Sequence, residues 1–318
     1  MRSVQQCLFA LTNIALLLAG CISTTSPEEI PSTAVVEPTD APHTIVLGDI
    51  SDDPAEVIEG FQPFADYIAD QLEDYGITVG EVKVARDANE MIRMLATGEV
   101  DLYFDSVYPA TLVSDASGGQ VILRRWRYGV EEYQSVIFTT KTSGITSVAE
   151  LSGHMVAFDN QYSTSGFVLP AVTLYEEGIT LVGKENYNAA VAADETGFVF
   201  SYDDENTLQW ILSGFVDAAA TDDYYFGHIF SDEVRANLVE LARTDFVPRQ
   251  VVVVSPEISP LLREEITQIL LTAHETEDGQ TALEPFQTSK FDRFPEGIER
   301  ASATMREMVE IINTIPLP

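Results

Sequence analysis

The chain has 318 residues, of which 51 are Asp or Glu and only 17 are Lys or Arg, giving a formal net charge of −34. Phosphate backbones and anionic lipid headgroups would be repelled, which argues against a nucleic-acid partner. The four histidines show no metal-ligand spacing, and the chain has no phosphate loop, dinucleotide fingerprint or Gly-x-Ser-x-Gly elbow. No cofactor or metal site is therefore predicted, and an enzyme is not expected.

Residues 1–20 are typical of a bacterial signal peptide, because a single Arg precedes an apolar run that is too short to span a bilayer. The run closes on Leu18-Ala19-Gly20-Cys21, which resembles the bacterial lipoprotein box. That resemblance implies acylation of Cys21 and a membrane anchor. An ordinary secretory signal with a chance cysteine is the alternative. Residues 21–43, rich in Ser, Thr and Pro, predict a flexible tether after the acylated cysteine.

Strands and helices alternate from Thr44 onward, which predicts an α/β architecture with largely parallel sheets. Thr44 to Gly48 reads as the first strand. The following helix carries apolar residues at intervals of three and four, and a helix from Ala88 to Thr97 separates two further strands. Arg124-Arg125-Trp126-Arg127, the only basic cluster, is interpreted as a charged surface strand.

The segment Ser163-Thr164-Ser165-Gly166 follows the short apolar strand Met155 to Phe158 and opens a helix at Phe167. Three hydroxyls and free backbone N–H groups are expected to converge at this helix N-terminus, where the helix dipole also favours an anion. The pattern predicts a site for a small oxyanion. Ser165 could instead serve only as a helix cap.

Two β-branched runs, Tyr133 to Thr140 and Gln250 to Val254, flank a second α/β unit of domain size. The simplest arrangement is two lobes, one formed by residues 44–132 and 250–318 and the other by residues 133–249. Two crossing strands would form the hinge, with a ligand held between the lobes.

Four segments in order resemble the phosphate/phosphite/phosphonate substrate-binding proteins of ABC transporters. They are Phe64 to Ile68, Gly98 to Pro109, Leu151 to Pro170 and Gly214 to Asp222. The resemblance implies a two-lobed type II periplasmic-binding-protein fold. It also implies that Ser163, Thr164 and Ser165 donate to the ligand, and that Tyr108, Asp105 and Asp222 face the cleft.

For several of these residues the sequence also allows a second interpretation. Tyr108 could belong to the core, and Asp222 could cap a short helix. Family members that bind phosphonates often carry a histidine where this chain has Ser201-Tyr202-Asp203, so Tyr202 or Asp203 would take that position. An acidic group facing the ligand would favour one that still carries a proton or an amine.

The resemblance implies an extracytoplasmic, lipid-anchored monomer that delivers a phosphorus oxyanion to a membrane permease driven by an ATPase. The same fold could bind a sulfonate or a pyrimidine precursor, or could present its ligand to a receptor kinase.

Overall fold

The computed structural model describes residues 44–318. The predicted signal peptide, Cys21 and the tether to residue 43 lie outside this range, so they remain predictions. The strands are β1 Thr44–Ile50, β2 Val79–Ala85, β3 Leu102–Asp105, β4 Gln120–Arg127, β5 Glu132–Tyr133, β6 Ser135–Thr140, β7 Met155–Phe158, β8 Leu181–Gly183, β9 Thr196–Phe200, β10 Ala218–Asp222, β11 Leu238–Arg243, β12 Val247–Pro248, β13 Gln250–Val254 and β14 Thr288–Asp292. The α-helices are α1 Pro54–Gln71, α2 Ala88–Ala96, α3 Val107–Ser117, α4 Leu169–Glu176, α5 Asp204–Leu212, α6 Asp232–Arg235, α7 Pro260–Thr272, α8 Glu277–Leu283 and α9 Ile298–Ile312.

The first sheet has the strand order β14-β4-β13-β3-β1-β2. Its strands β2, β1 and β3 run parallel, as the strand–helix alternation predicts, whereas β13 is antiparallel to β3 and β4. Helix α1 buries Phe64 and Ile68 against this sheet, and Asp53 caps its start by accepting from the N–H of Glu56. The apolar spacing of α1 therefore identified its buried face correctly.

The second sheet has the order β11-β6-β10-β7-β9-β8. Strands β10, β7, β9 and β8 are parallel, so their carboxyl ends share one edge. Ligands of open α/β sheets bind at such edges. The loops that follow Phe158, Phe200 and Asp222 leave the sheet here, and the first of them leads into the Ser163–Gly166 segment. The sheet thus positions the predicted oxyanion segment.

The chain passes between the two sheets through the short antiparallel pair β5 and β12, in which Tyr133 faces Val247. The hinge strands predicted from the sequence, Tyr133 to Thr140 and Gln250 to Val254, are longer than this pair. Gln134 separates β5 from β6, and β13 pairs entirely within the first sheet. Two strands cross as predicted for this fold, but each crossing strand has only two residues.

Helix α9 contacts the cores beside both sheets. Ala301 and Met305 belong to a buried cluster with first-sheet residues, whereas Ile312 and Ile315 belong to a cluster built mainly on the second sheet. Farther on, the carbonyl of Pro316 accepts from the N–H of Gly183 at 2.8 Å. No helix within residues 44–318 is both long and apolar enough to cross a membrane.

Candidate ligand-binding site

The Ser163–Gly166 segment forms the start of a helix, as predicted, but its first turn is a π-helix over Thr164–Val168 that continues into α4. Such wide turns occur frequently at functional sites. The cap is Ser163 and not Ser165, because Ser163 Oγ accepts from the N–H of Gly166 at 3.0 Å. Within the described chain, the N–H groups of Thr164 and Ser165 have no protein acceptor. Two backbone donors therefore remain free at the N-terminus of this helix.

The Thr164 hydroxyl links the lobe built on the second sheet to the lobe built on the first sheet. It accepts from the N–H of Tyr108 at 3.0 Å and donates to Ser106 Oγ at 3.1 Å, and both partners come from the β3–α3 region of the first lobe. Thr164 is only 2% exposed. Its hydroxyl thus already has protein partners on the far side of the cleft.

Ser165 contacts β5, one of the two crossing strands. The buried Tyr133 phenol of β5 lies within hydrogen-bonding reach of the Ser165 and Thr164 side chains. The Ser165 carbonyl accepts from Ser135 Oγ at 2.6 Å, and Arg249 stacks on the Tyr133 ring at 4.4 Å from its centre. The helix start is therefore joined directly to the hinge.

A cavity of about 430 Å³ opens beside the capping serine. Residues of the first lobe, among them Ser51, Asp105 and Ser106, line one side, and Asp159, Tyr162 and Ser163 line the other. Burial raises the pKa of Asp159, although hydrogen bonds from Ser163 and Asn160 oppose that rise. Of the predicted ligand-binding residues, Ser163 and Asp105 line this cavity.

Asp105 is held by its own lobe. Its carboxylate accepts from the Tyr103 hydroxyl and from both the N–H and the hydroxyl of Ser106, the N–H at 2.6 Å. Burial nevertheless raises its pKa above the ordinary value. The carboxylate orients Ser106, which is the residue that meets Thr164 across the cleft.

The other predicted acidic residues have local hydrogen bonds. Asp222 accepts from the N–H of Tyr225 at 2.6 Å, as its capping alternative predicted, and Asp203 caps α5 through the N–H groups of Glu205 and Asn206. Tyr202 is 75% exposed, at a positive φ of 64°. These three residues are absent from the lining of the 430 Å³ cavity.

Tyr108 lies in the core, with 8% of its surface exposed, in a cluster that contains Phe158 and Phe167. This matches the core alternative for its side chain, while its backbone N–H contacts Thr164. Burial raises the pKa of the Tyr108 phenol, with a smaller contribution from Tyr162.

The interpretation of Arg124 to Arg127 as a charged surface strand was wrong. Arg124 is 5% exposed and Arg125 only 2% exposed. Arg125 donates to Thr288 Oγ1 and Gln250 Oε1, both at 2.7 Å, and to the carbonyl of Phe286, and it stacks 3.7 Å from the Phe286 ring centre. Each partner is distant in sequence, so the local charge pattern could not reveal this burial.

Three residues of the site had no motif to mark them. Ser106 and Asp159 follow the strands β3 and β7 and line the cavity, and Tyr133 contacts the Ser165 side chain from the hinge. A usable signal for the first two was their position directly after a buried strand of a parallel sheet.

Comparison with known protein families identifies the family of the chain. A family model described as the periplasmic phosphonate substrate-binding protein of an ABC transporter matches residues 50–295. The chain belongs to this family. A phosphate-import protein PhnD of Mycolicibacterium smegmatis is 27% identical over 177 residues, which are 54% of this chain and 52% of that protein. The chain thus matches about half the length of that relative.

Solved structures of similar proteins agree with the family fold. XAC2383 from Xanthomonas citri, in a structure bound to chloride ion, has a TM-score of 0.79 and 26% identity, covering 85% of this chain and 99% of that one. The same protein has been solved bound to ATP. PhnD1 from Prochlorococcus marinus, in complex with methylphosphonate, has a TM-score of 0.62 at 17% identity, covering 86% of this chain and all of its own. The type II periplasmic-binding-protein fold is therefore confirmed.

In this family member, one carboxyl beside the cleft makes stability depend on pH. Burial, and then the charge of Asp105, raise the pKa of Asp49 to about 7, above the ordinary 3.8. The unfolded chain loses this proton first, so the contribution of Asp49 to stability falls as pH rises from about 4 to about 7. Asp49→Asn removes that dependence. The free energy of unfolding of the variant minus that of the unmodified protein should rise by roughly 1–3 kcal/mol between pH 5 and pH 8.

Urea unfolding at pH 5, 6, 7 and 8 measures this difference. Asp101 and Asp204, whose pKa values burial raises to about 6, are unchanged in the variant, so their contributions cancel. A constant difference between the two proteins across this pH range would contradict the assignment of a raised pKa to Asp49.

Proposed function

We propose that this chain is the lipid-anchored, extracytoplasmic solute-binding protein of an ABC importer and that it binds a phosphorus oxyanion in the interlobe cleft. Phosphonate, phosphite and phosphate are the candidate ligands. A membrane permease with its ATPase would receive the ligand. The family match supports the transport role, and the sequence Leu18-Ala19-Gly20-Cys21 supports the anchor.

The observation that carries the proposal is the free N-terminus of the π-helical turn. The N–H groups of Thr164 and Ser165 have no protein acceptor within residues 44–318, and the adjacent Ser163 lines a cavity of about 430 Å³. Backbone donors and the helix dipole together favour an anion at this point. Hydroxyl and amide donors recognise a tetrahedral oxyanion without an adjacent lysine or arginine.

The acids at the same edge favour a ligand that can also donate. Asp159 lines the cavity, and the charge of Asp222 adds to burial, the larger cause, in raising the pKa of the Tyr133 phenol. A monoprotonated phosphonate or phosphite can donate to a carboxylate, whereas sulfate at neutral pH cannot. We therefore propose selectivity for phosphorus over sulfur oxyanions.

A thermal-shift panel tests the proposal with phosphate, phosphite, methylphosphonate, 2-aminoethylphosphonate, sulfate, taurine and ATP. A ligand at a hundred times its Kd should stabilise the protein by about 2.7 kcal/mol. ATP is included because the similar XAC2383 has been solved with it. A shift with taurine or ATP and none with any of the small phosphorus compounds would refute the proposed ligand class.

Ser163→Ala should weaken binding of the responding phosphorus compound by roughly 1–3 kcal/mol, because the hydroxyl that caps the π-helical turn beside the cavity is lost. Ser231→Ala is a matched control, since Ser231 also caps a helix by accepting from the N–H of Val234 at 3.3 Å. Isothermal titration calorimetry measures both affinities. Equal affinities of the two variants would remove Ser163 from the site.

A further inference from the structure

A second cavity, of about 300 Å³, lies beside the first, and the two share Ile50, Ser51 and Asp105 as lining residues. The first cavity alone, at about 430 Å³, has room for more than the five heavy atoms of a methylphosphonate. The charged residues that line the second cavity are Asp49, Glu56, Asp105, Arg125 and Arg127. The cleft therefore continues from an oxyanion site into a charged compartment of the first lobe.

The acids of this compartment have protein donors or lie at its rim. Asp105 accepts from Tyr103 and twice from Ser106, and Asp49 accepts from the N–H of Ile50 at 2.7 Å. Because burial raises the pKa of Asp49, this carboxyl keeps a proton to a higher pH than an exposed aspartate and can then donate. Glu56 is an exposed residue in the first turn of α1.

The two arginines differ in how many of their guanidinium nitrogens make hydrogen bonds. Arg125 uses all three of its nitrogens on Thr288, Gln250 and the carbonyl of Phe286. Arg127 uses only Nη2, which donates to Tyr128 and Gln287 at 3.3 and 3.2 Å.

The remaining nitrogens of Arg127 have no acceptor. Its Nε is buried without a hydrogen-bond partner, and its Nη1 makes no hydrogen bond either. Among the ion pairs of residues 44–318, none joins Arg125 or Arg127 to a carboxylate within 4 Å. A half-buried guanidinium with an unused Nη1 beside a cavity is able to donate to an acceptor on a ligand.

We propose that Arg127 binds a carboxylate on the ligand, so that the substrate class is the phosphonocarboxylates. The phosphorus group would lie at Ser163 and the Thr164 and Ser165 amides, and the carbon chain would pass Asp105 toward Arg127. A guanidinium pairs with a carboxylate through two parallel hydrogen bonds, which adds orientation to affinity. This inference rests on the proposed function, because it extends the same site.

Calorimetry on matched pairs of ligands tests it. Phosphonoacetate, 3-phosphonopropionate and 4-phosphonobutyrate are each compared with the alkylphosphonate that lacks the carboxylate, and 2-aminoethylphosphonate supplies an amine instead. At least one carboxylated compound should bind roughly tenfold to hundredfold more tightly than its alkyl partner. Equal affinities in all three pairs, or preference for the amine, would overturn the inference.

Variants test whether Arg127 causes the preference for the carboxylated ligand. Arg127→Gln should reduce the preference to about twofold or less while the alkylphosphonate still binds, which shows that the fold and the first cavity are intact. Arg127→Lys should retain part of it, and the exposed Arg306→Gln, which also removes one positive charge, should retain all of it. A preference that survives in Arg127→Gln would overturn the inference. If no phosphorus compound binds the unmodified protein, the proposed function fails together with it.

Discussion

Replacing Gly166 by alanine is expected to weaken methylphosphonate binding by about a hundredfold, because a displacement of about 1 Å in a site can cost that much. A Cβ at this position would lie 2.4 Å from the Cβ of Asp159 and 2.7 Å from Ser163 Oγ. Both neighbours line the cavity, so relief of the clash must displace the residues that face the ligand. The free energy of unfolding should also fall, by about 1–3 kcal/mol, since overpacking strains a tight core.

Gly227→Ala is the matched control. Gly227 lies within the other π-helical turn of the described chain, Tyr225–Ile229, and a Cβ added there meets no atom within 4 Å. Calorimetry gives the two affinities, and thermal melts give the two stabilities. Wild-type affinity in Gly166→Ala would show that the turn takes no part in binding, whatever its effect on stability.

Arg125→Ala is expected to lower the free energy of unfolding by about 3–5 kcal/mol, which is typical when one partner of a buried charged network is removed. The side chain joins β4 to the Phe286–Thr288 segment and to Gln250 on β13. Its loss leaves the Gln250 amide oxygen without its donor, leaves the Phe286 carbonyl with the Thr288 hydroxyl alone, and removes a cation stacked on the Phe286 ring.

Arg306→Ala provides the comparison, because Arg306 also bonds a partner far away in sequence, Asp115, but at the surface. Surface pairs contribute about 0–1 kcal/mol. Urea unfolding of both variants measures the contrast. A loss of stability in Arg125→Ala no greater than that in Arg306→Ala would show that the buried network contributes nothing beyond a surface pair.

The family fold could be predicted from sequence because its evidence is local. The apolar spacing of α1 and the β-branched run of β13 are properties of neighbouring residues, and the strand, turn and helix around Ser163 follow one another within a few positions. Hydrophobic periodicity and capping chemistry act over the same short range. These elements therefore formed where the pattern predicted them.

The side-chain partners could not be predicted in this way. The Thr164 hydroxyl has acceptor and donor partners more than fifty positions earlier, and Arg125 is satisfied by residues 125 to 163 positions away. Whether a charged or hydroxyl side chain faces water or a buried partner is decided by tertiary contacts, not by its neighbours in sequence. The edge strand β14 was also missed, although it supplies Thr288 and Asp292 to the arginines of β4.

The helix α9 has a consequence for the energetics of capture. Rotation about the two-residue hinge strands must either carry this helix along or detach one of its ends, because Met305 and Ile312 of α9 are buried in different cores. Detachment would expose apolar surface at a cost of about 25 cal/mol for each Å². Any opening that detaches an end of α9 is opposed by this cost, which favours the conformation that joins Thr164 to Ser106. A ligand that binds this conformation then loses little apparent affinity to a conformational equilibrium.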